Sequence, residues 1–197
     1  MKYILILLFP LLIGTMAYSQ SISYEDFKTV IPFLQKEDYK GAFEMTNKLL
    51  NTTQNDSSDI RGIVTYMNIF SAAGMVSEDK MSFDDFSKNA NKYVGQYLVM
   101  SAHPCVDSGT HDFNSLQFVT ANGQLRGMTI TANDKKTNIL CFEYFEYSEP
   151  VNPSEFIGKN VRCGGILKAV ETNPNKSKIW ISRLHISDAF ARDMAAK

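Results

Sequence analysis

Three side chains able to hold a metal or act as a nucleophile, His103, Cys105 and His111, fall within nine consecutive positions. Imidazole and thiolate at such spacing bind transition metals. A thiolate beside an imidazole is also the standard nucleophilic pair. A structural zinc site wants four ligands, and only Asp107 or Asp112 stands near enough to serve as a makeshift fourth. Nothing beside Cys105 marks an orienting acid or an oxyanion hole. The plain alternative is a polar loop that holds two histidines. Accordingly no residue is assigned as catalytic, and no metal or other cofactor is assigned.

The second chemical feature is an aromatic run, Phe142, Tyr144, Phe145 and Tyr147. Rings of this kind stack the bases of single-stranded nucleic acid when basic residues track the phosphates. Here the neighbours are Glu143, Glu146 and Glu149, which would repel phosphate. Residues 92–197 carry 12 Lys and Arg against 10 Asp and Glu, and residues 20–91 carry 7 against 11. With a whole-chain net charge of -1, gripping nucleic acid by bulk charge is disfavoured. Asp84 and Asp85 are adjacent, point to different sides of a helix, and read as cap residues rather than an acid–base pair. The chain has no Gly-rich phosphate loop, no G-x-S-x-G and no H-E-x-x-H.

These groups need elements to position them. The 197 residues are 44% hydrophobic and 21% charged, close to globular averages, which excludes general disorder. The first residues have the layout of a cleaved leader: Lys2, an eleven-residue apolar stretch from Tyr3 to Ile13, then Ala17 and Ser19 two apart. Cleavage is expected after Ser19. The stretch is too short to span a bilayer and contains Pro10, and the first cysteine is as far on as Cys105. The expectation is therefore a periplasmic or secreted protein that is neither lipid-anchored nor membrane-spanning.

Residues 20–91 read as a helical domain. Ser23 and Ser82 are caps with Asp26 and Asp85 three residues on, and Asp38 can cap a further helix. Pro32 should kink or end the first helix. Ile63, Val64, Met67 and Phe70 form the stripe of a helix over about Ile60 to Val76. Tyr39, Ala42, Phe43 and Gly74 give the pair of helices a weak resemblance to one tetratricopeptide-type hairpin, although stacked repeats need about three units to stand alone.

From Lys92 the pattern changes to alternating and β-branched runs. The segment from Tyr93 to Ala102 aligns without gaps on Phe156 to Gly165, at an offset of 63 residues. Each copy opens with aromatic–aliphatic–Gly, and its far end (Ala102, Gly165) suits a bulge or bend. Gly95-Gln96 and Gly158-Lys159 as strand openings, with Ile139-Leu140-Cys141-Phe142 between them, resemble the exported OB-fold family named for its likeness to tRNA-anticodon-binding domains. The resemblance implies an α+β protein in which a helical hairpin precedes a five-stranded OB-like β-barrel over residues 92–187, with 188–197 as a tail. The helix customary before the fourth strand must be short or missing, because Pro150 and Pro153 interrupt it. Leu98, Met100, Val161 and Cys163 should face the interior. Since the first and fourth strands of such a barrel are neighbours, Cys105 to Cys163 is the most reachable disulfide.

The same resemblance implies a non-catalytic binding or adaptor role in the cell envelope. Its binding surface would lie on the loop from His103 through Cys105 to His111, on the central strands at Arg126 and Tyr144, and on the loop carrying Lys176 and Lys178. The ligand would be a protein, a glycan or a small molecule. The alternatives are a metal-binding or thiol-dependent enzyme centred on His103, Cys105 and His111, and single-strand nucleic-acid binding.

Overall fold

The computed structural model describes residues 21–53, 56–107, 109, 112–121 and 123–195. The expected leader and His111 lie outside them. Helices occupy the N-terminal half: α1 (Tyr24–Lys28), α2 (Ile31–Leu34), α3 (Tyr39–Thr52), α4 (Asp59–Ser77) and α5 (Phe83–Ala90). Local chemistry sets where they start. The Ser23 hydroxyl accepts from the Asp26 amide at 3.1 Å while the Asp26 carboxylate accepts from the Ser23 amide at 2.9 Å, a complete capping box. Asp38, Ser58 and Ser82 cap α3, α4 and α5 by accepting from the amides of Gly41, Arg61 and Asp85. Pro32 opens α2 rather than kinking one longer helix, because its missing N–H costs nothing in a first turn.

Helices α3 and α4 run antiparallel. At one end Arg61 donates to the Leu50 and Thr53 carbonyls, and at the other Tyr39 lies edge-on to Phe70. Helix α4 is buried on most sides, because it sits between α3, α5 and the sheet. Where the three helical segments meet, Asn68 forms a buried polar hub. It donates to Thr46 Oγ1 at 2.9 Å and accepts from Asn89 Nδ2 at 3.0 Å and Tyr93 Oη at 3.1 Å.

The remaining chain forms one seven-stranded sheet: β1 (Tyr97–Val99), β2 (His103–Pro104), β3 (Leu116–Ala121), β4 (Gln124–Ala132), β5 (Ile139–Tyr147), β6 (Asn160–Thr172) and β7 (Trp180–Asp193). The order is β1-β6-β7-β5-β4-β3, with β2 also on β6. All pairings are antiparallel except β5 with β7. The expected closed, five-stranded barrel is corrected: this sheet does not close. The strand that would seal it is broken into the three-residue β1 and two-residue β2. Among the described residues the one backbone bridge from this segment to β3 is isolated, Cys105 to Leu116.

The repeat has a structural counterpart. A 3-10 turn precedes each opening glycine (Asn91–Tyr93 and Pro153–Glu155). Gly95 and Gly158 then take φ of +85° and +80°, the left-handed region that glycine enters without penalty. At the far end of the second copy Gly165 sits in a register shift between β6 and β7, the bend anticipated there.

Of the segment expected as a tail, residues 188–193 belong to the sheet, since β7 continues to Asp193, which pairs with Val161 and lies 3.0 Å from Lys159 Nζ. The Cys105–Cys163 disulfide is absent: Cys105, Cys141 and Cys163 are free and buried. Leu98, Met100, Val161 and Cys163 do face the interior. That interior is shared, since helical residues such as Val64, Ile69 and Phe86 belong to one apolar cluster with Leu140, Phe145, Leu184 and Ile186 of the sheet. No helix among the described residues is long and apolar enough to cross a membrane.

Candidate functional site

Alternation along β5 divides its side chains between two environments. Cys141, Glu143 and Phe145 point inward and are fully buried, while Phe142, Tyr144 and Glu146 are half-buried on the opposite face. The register extends this outer face across the sheet. Phe142 lies between Ile130 of β4 and Arg183 of β7, Tyr144 between Met128 and His185, and Glu146 beside Arg126.

The rings form a continuous platform. Phe142 and Tyr144 stack at 6.5 Å with planes 17° apart, and Tyr144 stacks on His185 at 5.4 Å and 21°. Trp180 meets Phe142 edge-on at 6.2 Å. The Arg183 guanidinium carbon lies 4.4 Å from the Trp180 ring centre and 6.0 Å from that of Phe142, a cation–π arrangement that fixes its plane against the rings. Glu171 of β6 closes one margin, with carboxylate oxygens 3.8 Å from Arg183 and 3.2 Å from His185 Nε2. Glu146 closes the other, 3.3 Å from Arg126 and 3.1 Å from Lys168. The result is a flat, ring-lined surface with charges of both signs at its edges. Such a surface can stack on a planar or C–H-rich ligand and hydrogen-bond hydroxyl or amide groups around it.

Of the described residues singled out from sequence, Tyr144 lies in this platform and Arg126 on its rim, whereas His103, Cys105, Lys176 and Lys178 lie elsewhere. Lys176 Nζ is 3.0 Å from Asp84, and Lys178 pairs with Asp79. Both lysines therefore reach back to the helical layer at the edge of the sheet, and as exposed pairs they contribute little stability. His103 is partly buried. Its Nδ1 lies 3.0 Å from the Asn114 carbonyl, so it carries the hydrogen, and Nε2 faces Ser101 Oγ at 3.3 Å. Burial lowers its pKa. Cys105 is buried, and burial raises its thiol pKa, the opposite of an activated nucleophile. Among the described residues no three His, Cys, Asp or Glu side chains are grouped so as to hold a metal.

The aromatic run splits by the same alternation. Phe145 is core. Tyr147 packs on Phe118 and brings its hydroxyl within 3.8 Å of Cys163 Sγ, whose pKa burial pushes up to about 12. Glu143, taken from sequence as a carboxylate repelling phosphate, is on the inner face and takes no part in the surface charge. Sequence reasoning assigned none of Trp180, Arg183 and His185 to a site. Arg183 and His185 stand two apart on β7 and so share a face, but only the parallel pairing of β5 with β7 brings them beside Phe142 and Tyr144.

Comparison with known proteins adds no further assignment: no protein-family model, curated protein or solved structure matches this chain.

Proposed function

We propose that this is a non-catalytic binding protein of the cell envelope, exported by a cleaved leader, that docks a glycan on the outer aromatic face of its sheet. The observation that carries the reading is the Phe142–Tyr144–Trp180–His185 platform with Arg183 laid against it. Such rings offer the flat apolar face on which the C–H face of a sugar stacks. Glu146, Glu171, Arg126 and Arg183 supply donors and acceptors for hydroxyls at the margin. The mixed signs favour a neutral or weakly charged saccharide over a polyanion.

The strand order supports an OB-like reading of the sheet as well. Strands β5 and β7 are parallel, β6 returns between them in sequence, and β1 pairs with β6. If β1, β2 and β3 together stand for one interrupted first strand, the connectivity follows that of OB folds, whose open face binds oligosaccharides or oligonucleotides. Function argued this way rests on the surface and not on the fold.

The test is binding to a panel of soluble neutral and acidic oligosaccharides, with single-stranded DNA oligomers beside them. Wild-type protein should bind at least one neutral saccharide, and Tyr144→Ala and Arg183→Ala should each weaken it about tenfold or more while circular dichroism stays unchanged. Undiminished binding in both variants would move the site elsewhere. Binding to DNA alone, falling steeply with salt, would replace the glycan reading with nucleic-acid binding.

A further inference from the structure

Beneath the platform lies a feature that ligand binding does not use. Glu143 is wholly inaccessible to solvent, between Thr129 of β4 and Leu184 of β7 in the register. Three hydroxyls converge on its carboxylate: Thr129 Oγ1 donates at 2.6 Å, Tyr66 Oη at 2.8 Å and Thr131 Oγ1 at 3.2 Å. Tyr66 also reaches Thr131 at 3.4 Å. Tyr66 belongs to α4, so this carboxylate spans the seam between the helices and the sheet. From β5 the titratable neighbour is Cys141, whose thiol meets the Ser182 hydroxyl of β7 at 3.2 Å. The segment after β1 contributes the Met100 sulfur, 3.9 Å from Thr129 Oγ1. Tyr66 and Cys141 are themselves held neutral by burial. No ion pair among the described residues includes Glu143.

We propose that Glu143 is a pH-sensitive latch in the seam between α4 and the sheet: protonated, it lies there without charge, and ionised, its uncompensated buried charge destabilises the seam despite the hydroxyls that donate to it. Hydroxyl donors offset only part of what it costs to bury a lone carboxylate without a counter-charge. Burial accordingly pushes its pKa up to about 7, against the three hydrogen bonds that lower it. The sign follows from linkage. The folded protein holds this proton at pH values where the unfolded chain has released it. The stabilisation is complete below the unfolded value near 4.5, declines as pH rises towards 7, and is absent above it. The device needs no ligand, so it can fail or hold independently of the glycan reading.

The experiment is denaturant unfolding of the ligand-free protein from pH 4.5 to pH 8.5, for wild type and Glu143→Gln. Glutamine keeps the shape and cannot ionise; its amide NH2 takes the place of one accepting oxygen, and the hydroxyl facing it can turn to accept. In wild type the unfolding equilibrium constant should rise about a hundredfold across this range, whereas in Glu143→Gln that rise should disappear. Should the variant fail to fold, a carbon-13 NMR titration of the wild-type glutamate carboxyls decides the matter. One carboxyl should titrate near pH 7, with α4 amides exchanging faster above the midpoint. Equal pH slopes in the two proteins, or every glutamate titrating in the ordinary range, would overturn the latch.

Discussion

A Gly165→Val protein is expected to melt about 10 °C or more below wild type, at the rate of about 2–4 °C per kcal/mol for a chain of this size. The reason is geometric. At the bulge where β6 shifts register, any Cβ on residue 165 would lie 2.5 Å from the Ser187 carbonyl oxygen and 3.0 Å from the Ala189 Cα. Both are backbone atoms of β7, so relief requires the two strands to separate. The φ of +157° is also one that side-chain-bearing residues rarely adopt. Overpacking and backbone strain together cost about 4 kcal/mol. Gly158→Ala provides the contrast. Its φ is +80° but no atom lies within 4 Å of the added carbon, so it should cost only about 1–2 kcal/mol. Thermal melts of the two proteins separate the steric effect from the conformational one. Equal losses would show that the tight approach of β6 to β7 is not what requires glycine at 165.

The second large effect is expected at Asn68. Leucine there has similar volume, but it removes the acceptor of both Asn89 and Tyr93 and the donor to Thr46 at once. Thr46 keeps its own bonds to the Ala42 and Phe43 carbonyls. Asn89 and Tyr93 are left with buried donors and lose the partner through which α5 and the turn after it are tied to α4. At about 1–3 kcal/mol for each buried polar group left unpaired, the loss should total about 4 kcal/mol. Denaturant unfolding checks this. Adding Asn89→Leu to Asn68→Leu should cost less than the sum of the single changes, because one interaction is shared. A loss below about 1 kcal/mol for Asn68→Leu would mean that the hub does not hold the three segments together.

How much was legible in the sequence follows from the range of each interaction. Ser23, Asp38 and Ser82 announce helix starts because a cap is closed within three residues. Gly95 and Gly158 announce strand openings because a left-handed φ is a local demand. The lack of a full helix before β6 was readable from Pro150 and Pro153. By contrast, closure of the sheet depends on whether β1 and β3 meet, which no short pattern encodes. The break at β2, where Pro104 has no amide to donate, became decisive only once the partners were known. The platform was half visible: Tyr144 was found because it stands in a dense aromatic run, whereas Arg183 and His185 lie some forty residues on and arrive by parallel pairing. Lys176 and Lys178 were placed in the binding surface by the resemblance to an OB fold, and Asp84 and Asp79, remote in sequence, take them up. Glu143 was misjudged because its charge was counted without its position. Strict alternation with Phe142 and Tyr144 already placed it on the other face.

The most direct test of the binding surface uses the only tryptophan in the chain. Trp180 lies within the platform, 4.4 Å from the Arg183 guanidinium and edge-on to Phe142, so a sugar stacked there must alter its surroundings. The measurement is Trp180 emission during titration with an oligosaccharide, with binding followed by calorimetry on the same sample. The expected result is a saturable change in emission with the calorimetric midpoint, reduced or displaced to higher concentration in Tyr144→Ala. Heat of binding with unmoved emission would place the ligand away from this face and contradict the account.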